Sequence, residues 1–237
     1  MGGNNRGNVK MYSADNIVRS YLMLWNEAHG MQNIEPVRFN LKPELRSPAE
    51  RFSEEAKHDL EMALAHLTVN SMMAISGINE PPDAIMRKYK PKKPEDIVYC
   101  AMDIKAEEFP DSIRAPSLEG LTVIDVEDNG CGINPDDVIT AAKQIGIVLP
   151  QNPADEELIG IINTIFKQRL TARGESGMGN GSYIAAELID KHGGIVYAAG
   201  TTYNEDGVLK TIGDYSREHT GARIRMSFPV WKSKKMV

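Results

Sequence analysis

Three glycines at alternate positions, Gly177, Gly179 and Gly181, run directly into a segment whose Ile184, Leu188 and Ile189 keep helical spacing. That segment stops at Gly193-Gly194. Glycine admits positive φ and close backbone approach, so successive N–H groups can converge on one concavity. A helix opening just downstream adds partial positive charge, which suits a phosphate. The same GxGxG also serves as a hinge ahead of a helix, and alone it decides nothing. A second candidate is Glu127-Asp128-Asn129-Gly130-Cys131-Gly132-Ile133. An ionised Asp accepts an exocyclic N–H and cannot donate, and Gly130 and Gly132 leave space for a flat ring. As a bland alternative, Asp-Asn-Gly makes a good tight turn. A third candidate is the pair His66 and Asn70, four residues apart and flanked by Ala63 and Ala74. A buried Asn needs partners, which a metal-bound phosphate would supply; semi-exposed helix positions explain the same pair.

These groups need elements to position them. Met1 to Lys10 is Gly/Asn-rich and expected to be disordered, and residues 11–46 form a helix-and-strand appendage. Within it, Ile17, Tyr21, Leu24 and Trp25 give helical spacing over Ser13–His29, and Val37, Phe39 and Leu41 alternate along a strand from Ile34 to Leu41. Ser47-Pro48-Ala49-Glu50 reads as a capped start for a helix running to about Ile75 and ending near Gly77. Its stripe is Leu60, Leu64, Leu67 and Ile75, with His66 and Asn70 on another face. Residues 77–95 are a Pro- and Lys-rich exposed connector. Strands are expected over Ile97–Ile104 and Leu121–Val126, the second buried on both faces. Asn134-Pro135-Asp136-Asp137 opens another helix, Leu149 to Asp155 breaks it, Glu156 to Arg169 is helical again, and Leu170 to Ser176 is a polar, mobile approach to the glycines. After Gly194 come two or three strands. In the last, Ala222, Ile224, Met226 and Phe228 alternate with Arg223, Arg225 and Ser227.

The 237 residues suit one large domain or one domain with an appendage, and 41% hydrophobic with 25% charged residues is the balance of an ordinary globule. A net charge of -6 gives no general reason to expect nucleic acid; the basic clusters Arg87–Lys93 and Lys232–Lys235 read as solvated faces. No apolar run approaches the roughly 18 residues of a membrane span, and no signal peptide is visible. Cys100 and Cys131 make neither a disulfide framework nor a metal set, so a reducing, cytoplasmic setting is expected.

The order helix-with-Asn, strand–DxGxG, mobile segment, GxGxG–helix–GG and strand opening with Gly resembles the GHKL superfamily of ATP-binding domains, over roughly Glu54 to Val230. Asn70 matches its N box, Asp128 to Gly132 its first glycine box, Gly177 to Gly181 its second and Gly221-Ala222 its third. Ile165-Phe166 is similar to the F box, and Leu170-Thr171-Ala172-Arg173 to the threonine/basic stretch after it. HGGIVYAAG and GARIRMSFPV are histidine-kinase-like in cadence. The resemblance implies a two-layer α/β sandwich of the Bergerat type, a mixed sheet covered on one face by about three helices, in a domain spanning 47–237 with an ATP lid at 134–182. It further implies that Asp128 accepts the adenine amino group, helped by Gly130, Gly132, Ile133 and Ala74. Asn70 would hold Mg²⁺, and Gly177, Met178, Gly179, Asn180, Gly181 and Ser182, with Thr171 and Arg173, would hold the phosphates.

Departures sharpen the expectation. Hydrolysing relatives carry a Glu four residues before the N-box Asn; this chain has His66, and HLTVNS is similar to the chemotaxis type of histidine kinase. His66 would then assist phosphoryl transfer rather than water attack. Met73 stands where a basic residue is common, Asn180 and Ser182 where leucines are, and Ala222 where a Thr is. No phosphoacceptor hairpin is evident: His58 and His29 read as surface and cap-region residues. The chain is therefore expected to be the ATP/Mg²⁺-binding module of a histidine kinase. Its acceptor would be a protein histidine in trans or on a segment absent here, with a homodimer possible. A non-catalytic ATP-gated binding module and an ATPase clamp are the alternatives.

Overall fold

A computed structural model describes residues 10–29, 37–41, 52–77, 98–105, 121–150, 152–167, 170, 180–216 and 218–229. The elements in order are α1 (Ala14–His29), β1 (Val37–Leu41), α2 (Glu54–Ser76), β2 (Val98–Lys105), β3 (Leu121–Asp128), α3 (Pro135–Gln144), α4 (Asp155–Ile162), α5 (Thr164–Lys167), α6 (Gly181–Asp190), β4 (Ile195–Glu205), β5 (Val208–Gly213) and β6 (Gly221–Pro229). The expected disordered start, residues 47–51, the connector beyond Gly77 and the basic tail lie outside the described residues.

Alternation along the strands decides the layers. In the register of β3 against β6, Ile124 faces Met226 and Val126 faces Ile224, while Asp125 faces Arg225 and Glu127 faces Arg223. The first set turns to the helices and joins one apolar core with Leu60, Leu64 and Leu67 of α2 and Ile189 of α6. Each such fully buried side chain contributes about 1.5–3 kcal/mol. The six strands follow the order β1-β2-β3-β6-β4-β5. β1 pairs with β2 in parallel and the other neighbours are antiparallel, so the sheet is mixed. This is the two-layer α/β sandwich anticipated. On the face away from the helices, Arg225 pairs with Asp125 at 2.7 Å, Arg223 with Glu127 at 2.8 Å, and Asp214 meets both arginines at 3.3 Å. The Asp125 carboxylate raises the Arg225 pKa still further above its already high value, against the opposing effect of burial.

The N-terminal segment is continuous with this core. Ile17, Val18, Tyr21, Leu22 and Trp25 of α1 are buried in it, and Tyr21 donates a hydrogen bond to Thr68 of α2 at 3.1 Å. β1 extends the sheet through β2.

Two expected boundaries need correction. α2 opens at Ser53, not Ser47: its Oγ accepts from the Ala56 amide, and Phe52 is held extended by paired backbone bonds with Tyr12. The continuous helix from Glu156 to Arg169 is instead α4 and α5, interrupted at Asn163. The Asn163 side chain accepts from the Ala198 amide at 2.7 Å and donates to the Ala198 carbonyl at 3.2 Å, pinning the break to β4. Within the expected lid, Pro135–Gln144, Asp155–Ile162 and Thr164–Lys167 are helical, and Val138, Ile139, Ala142, Ile161 and Leu170 form a small apolar core of their own.

Candidate functional site

The site is assembled along α2. A helical period places His66, Asn70 and Ala74 on one face, each partly exposed, while Leu64, Leu67 and Met72 are buried on the other side. At Ala74, the helix meets the turn after β3. The Cys131 amide donates to the Ala74 carbonyl at 3.2 Å, giving a last-turn carbonyl the partner that helix ends lack. A Cβ placed on Gly130 would lie 2.5 Å from the Ala74 carbonyl carbon, so only glycine allows this approach. Gly132 has φ +74, with the Thr202 carbonyl oxygen 2.2 Å from any added Cβ. The turn is therefore wedged between α2 and β4.

Asp128 ends β3 inside this wedge, only 3% exposed. One carboxylate oxygen accepts from the Gly130 amide at 2.9 Å. Ile133 donates its amide to Thr201 Oγ1 at 2.8 Å. Ala222 lies beside Asp128 in the sheet and is buried.

At the other end, Asn70 donates from Nδ2 to Ser182 Oγ at 3.2 Å. A Cβ on Gly181 would lie 3.4 Å from the Asn70 amide atoms and 3.7 Å from His66 Nδ1. The first turn of α6 thus rests against His66 and Asn70. Asn180 precedes that turn without a side-chain capping bond, and the turn carries no acidic residue. The partial positive charge of this helix start thus meets no carboxylate from within its own first turn. Burial holds the His66 imidazole below its ordinary value of about 6.5, so the neutral ring is favoured.

The structure therefore brings together His66, Asn70, Gly181 and Ser182, and separately Ala74, Asp128, Gly130, Gly132, Ile133 and Ala222. Thr171, Arg173, Gly177, Met178 and Gly179 lie outside the described residues. Sequence reasoning passed over Thr201 and Tyr215. Thr201 looked like any β-branched strand residue, and nothing local marked Tyr215, whose hydroxyl donates to the Asp128 carbonyl at 2.6 Å. His58 is exposed, as expected, whereas its neighbour Asp59 is buried on His192 at 2.9 Å and Lys191 at 3.3 Å, tying α2 to the end of α6. Burial opposes the Asp59 charge, but these hydrogen bonds prevail and its pKa is lowered. Among the described residues no cluster of three or more His, Cys, Asp or Glu could hold a metal, and no helix is long and apolar enough to cross a membrane.

Comparison with known proteins identifies a family. Residues 95–232, more than half of the chain, match the family described as histidine kinase-, DNA gyrase B-, and HSP90-like ATPase. The match begins beyond α2, so Asn70 lies outside it. Among solved structures, the mycobacterial sensor histidine kinase MprB is 13% identical with a TM-score of 0.45, over 93% of this chain and 97% of that one. Full-length ShkA, solved in complex with AMPPNP, is 14% identical with a TM-score of 0.46, over 95% of this chain and 32% of that one. This chain thus spans about a third of ShkA. No curated protein matches the chain.

Proposed function

We infer a function from one premise: this chain belongs to the histidine kinase-, DNA gyrase B- and HSP90-like ATPase family and binds ATP. The reading favoured here is the catalytic module of a histidine protein kinase, of the kind used in two-component signalling. It moves the γ-phosphoryl group of ATP to a ring nitrogen of a protein histidine and releases ADP. The observation that carries it is the meeting of His66, Asn70 and the first turn of α6, with an imidazole where hydrolysing relatives place a carboxylate base. Adenine would lie at the Asp128 turn, its amino group donating to the carboxylate. The phosphates would lie at the opening of α6, where a first turn without an acidic residue and the helix charge favour an anion.

Mg²⁺ suits these residues without an all-protein cage, because it retains waters and uses few protein oxygens beside the phosphates. With its NH₂ engaged by Ser182, Asn70 has its carbonyl oxygen to offer. When bound, the ion would neutralise charge on the phosphate oxygens, and the remaining catalysis is positioning. Neutral His66 can accept a hydrogen bond from the incoming group or take up a proton, but it carries no formal charge to repel an anion. Incubation with γ-labelled ATP, Mg²⁺ and candidate acceptor proteins tests the reading. Acid-labile label on an acceptor is expected; steady release of free phosphate with no labelled acceptor would overturn it.

A second reading, a non-catalytic module that presents a partner surface when ATP binds, is favoured by Met73. It is buried, so this position on α2 offers no cation to a phosphate. ATP binding without either transfer or release would select it.

A further inference from the structure

Three glycines permit the close approaches that set one tyrosine in place. A Cβ on Gly200 would lie 2.4 Å from the Tyr215 amide nitrogen, and one on Gly213 would lie 2.1 Å from the Ala199 carbonyl oxygen. A Cβ on Gly221 would lie 2.1 Å from both the Tyr215 hydroxyl and the Asp128 carbonyl oxygen. The strand pairing of β4 and β6 also shifts register between Ala198 and Gly200, and the Asp214 amide donates to Ala199 at 3.1 Å. Together these bring Tyr215, 1% exposed, from the connection after β5 to the end of β3. Its hydroxyl donates to the Asp128 carbonyl at 2.6 Å, a bond between residues 87 apart in sequence. Gly200 shares its register position with Arg223, so the phenol approaches from the face away from the helices.

Thr201 acts from the opposite side. Its register partner is Ala222, itself paired with Asp128, so the three side chains stand in one row facing the helices. Fully buried, the Thr201 hydroxyl accepts from the Ile133 amide at 2.8 Å and donates to the Gly221 carbonyl at 3.0 Å. It occupies the neighbourhood in which Ala222 has no hydroxyl to offer. Residues 128–133 are thus tied at the first carbonyl by Tyr215 and at the last amide by Thr201.

We propose that Tyr215 and Thr201 are positioning residues for base recognition, holding both ends of this turn so that the Asp128 carboxylate meets an exocyclic purine amino group. The proposal rests on Asp128 as the adenine acceptor. A carboxylate rewards an amino group only within hydrogen-bond distance and direction, so a turn free to shift loses discrimination before it loses the nucleotide. Inosine triphosphate is the probe, because it carries a carbonyl where adenine carries the amino group.

The full chain is titrated with ATP and with inosine triphosphate, each with Mg²⁺, by calorimetry, and its melting temperature is recorded. Tyr215→Phe keeps the ring and removes only the hydroxyl. Thr201→Val removes the other tie, while Thr201→Ser restores it. The first two should weaken ATP binding about fivefold, the worth of one net hydrogen bond, and change inosine triphosphate binding less than about twofold. Thr201→Ser should retain the preference of the unsubstituted chain. Equal loss for both nucleotides, or no loss for either, overturns the proposal. If the unsubstituted chain shows no preference for ATP, or Asp128→Asn has no effect, base reading by Asp128 fails and the brace falls with it. That failure is recognised without reference to Tyr215 or Thr201.

Discussion

At the Asp128 end of the site, backbone lies against backbone: Gly130 on Ala74, Gly132 on Thr202, Cys131 bonded to α2. At the Gly181 end, the nearest atoms to an added Cβ are side-chain atoms of Asn70 and His66, at 3.4 Å and 3.7 Å. The Asp128 end is therefore set by main-chain contacts that tolerate no extra atom. The Gly181 end rests on side chains that can turn. Under the proposed function, a flat base of fixed shape would need the first, and a phosphate chain that must approach, react and leave would be served by the second.

Substitutions can break or sharpen this contrast. The largest effect is expected from Gly132→Ala, which imposes both a positive φ and a 2.2 Å clash on the Thr202 carbonyl. Denaturant unfolding should show a loss of about 2–4 kcal/mol. Next, Asp128→Asn should weaken ATP binding by about 1–3 kcal/mol, because it turns an acceptor into a possible donor, as measured by nucleotide titration. Asn70→Ala should remove about 1–2 kcal/mol of ATP affinity in Mg²⁺ and almost none in chelator; equal losses in both would contradict its metal role.

A pH effect follows from His66. Its folded pKa lies below the unfolded one, so between the two the unfolded chain binds more protons. Stability should therefore fall as pH drops through about 6.5, no more steeply than one proton allows, and His66→Gln should flatten that limb. The smallest effect is expected from Gly181→Ala. Folding stability should move by only about 0.5 kcal/mol, since alanine suits a helix and the neighbouring side chains can shift. A loss comparable to that of Gly132→Ala would erase the distinction between the two ends.

The sequence was most informative where the cause is local. The αL glycine ending α2, the Asn134-Pro135 start of α3 and the alternation of β6 each follow from neighbouring residues, and each stands where expected. The true start of α2 was hidden because Ser53 has Ala56 rather than Glu or Gln at the third helical position, whereas Ser47 is followed by a complete capping box. The break at Asn163 depends on Ala198, and the hold on Asp128 depends on Tyr215, so neither has a signature in its own stretch of chain. At the site, the grouping of Asp128, Gly130 and Gly132 was readable as a motif. That Ala74 is the surface against which the turn packs had no signature in the sequence, which marked Ala74 only as a small residue flanking Asn70.

The row of charges across β3, β6 and Asp214 has a consequence for how the strands find their pairing. Asp125, Glu127, Arg223 and Arg225 all lie on the outward face, cation opposite anion. Sliding β6 by one residue would drive both guanidinium groups inward among Ile124, Val126 and Ile189, and would leave two carboxylates unanswered. Burying charge without its counterpart costs several kcal/mol per ion, far more than the outward pairs contribute in place. The ladder works as a key: misaligned sheets are rejected, and the strand that delivers Asp128 to the turn against α2 arrives with a single alignment.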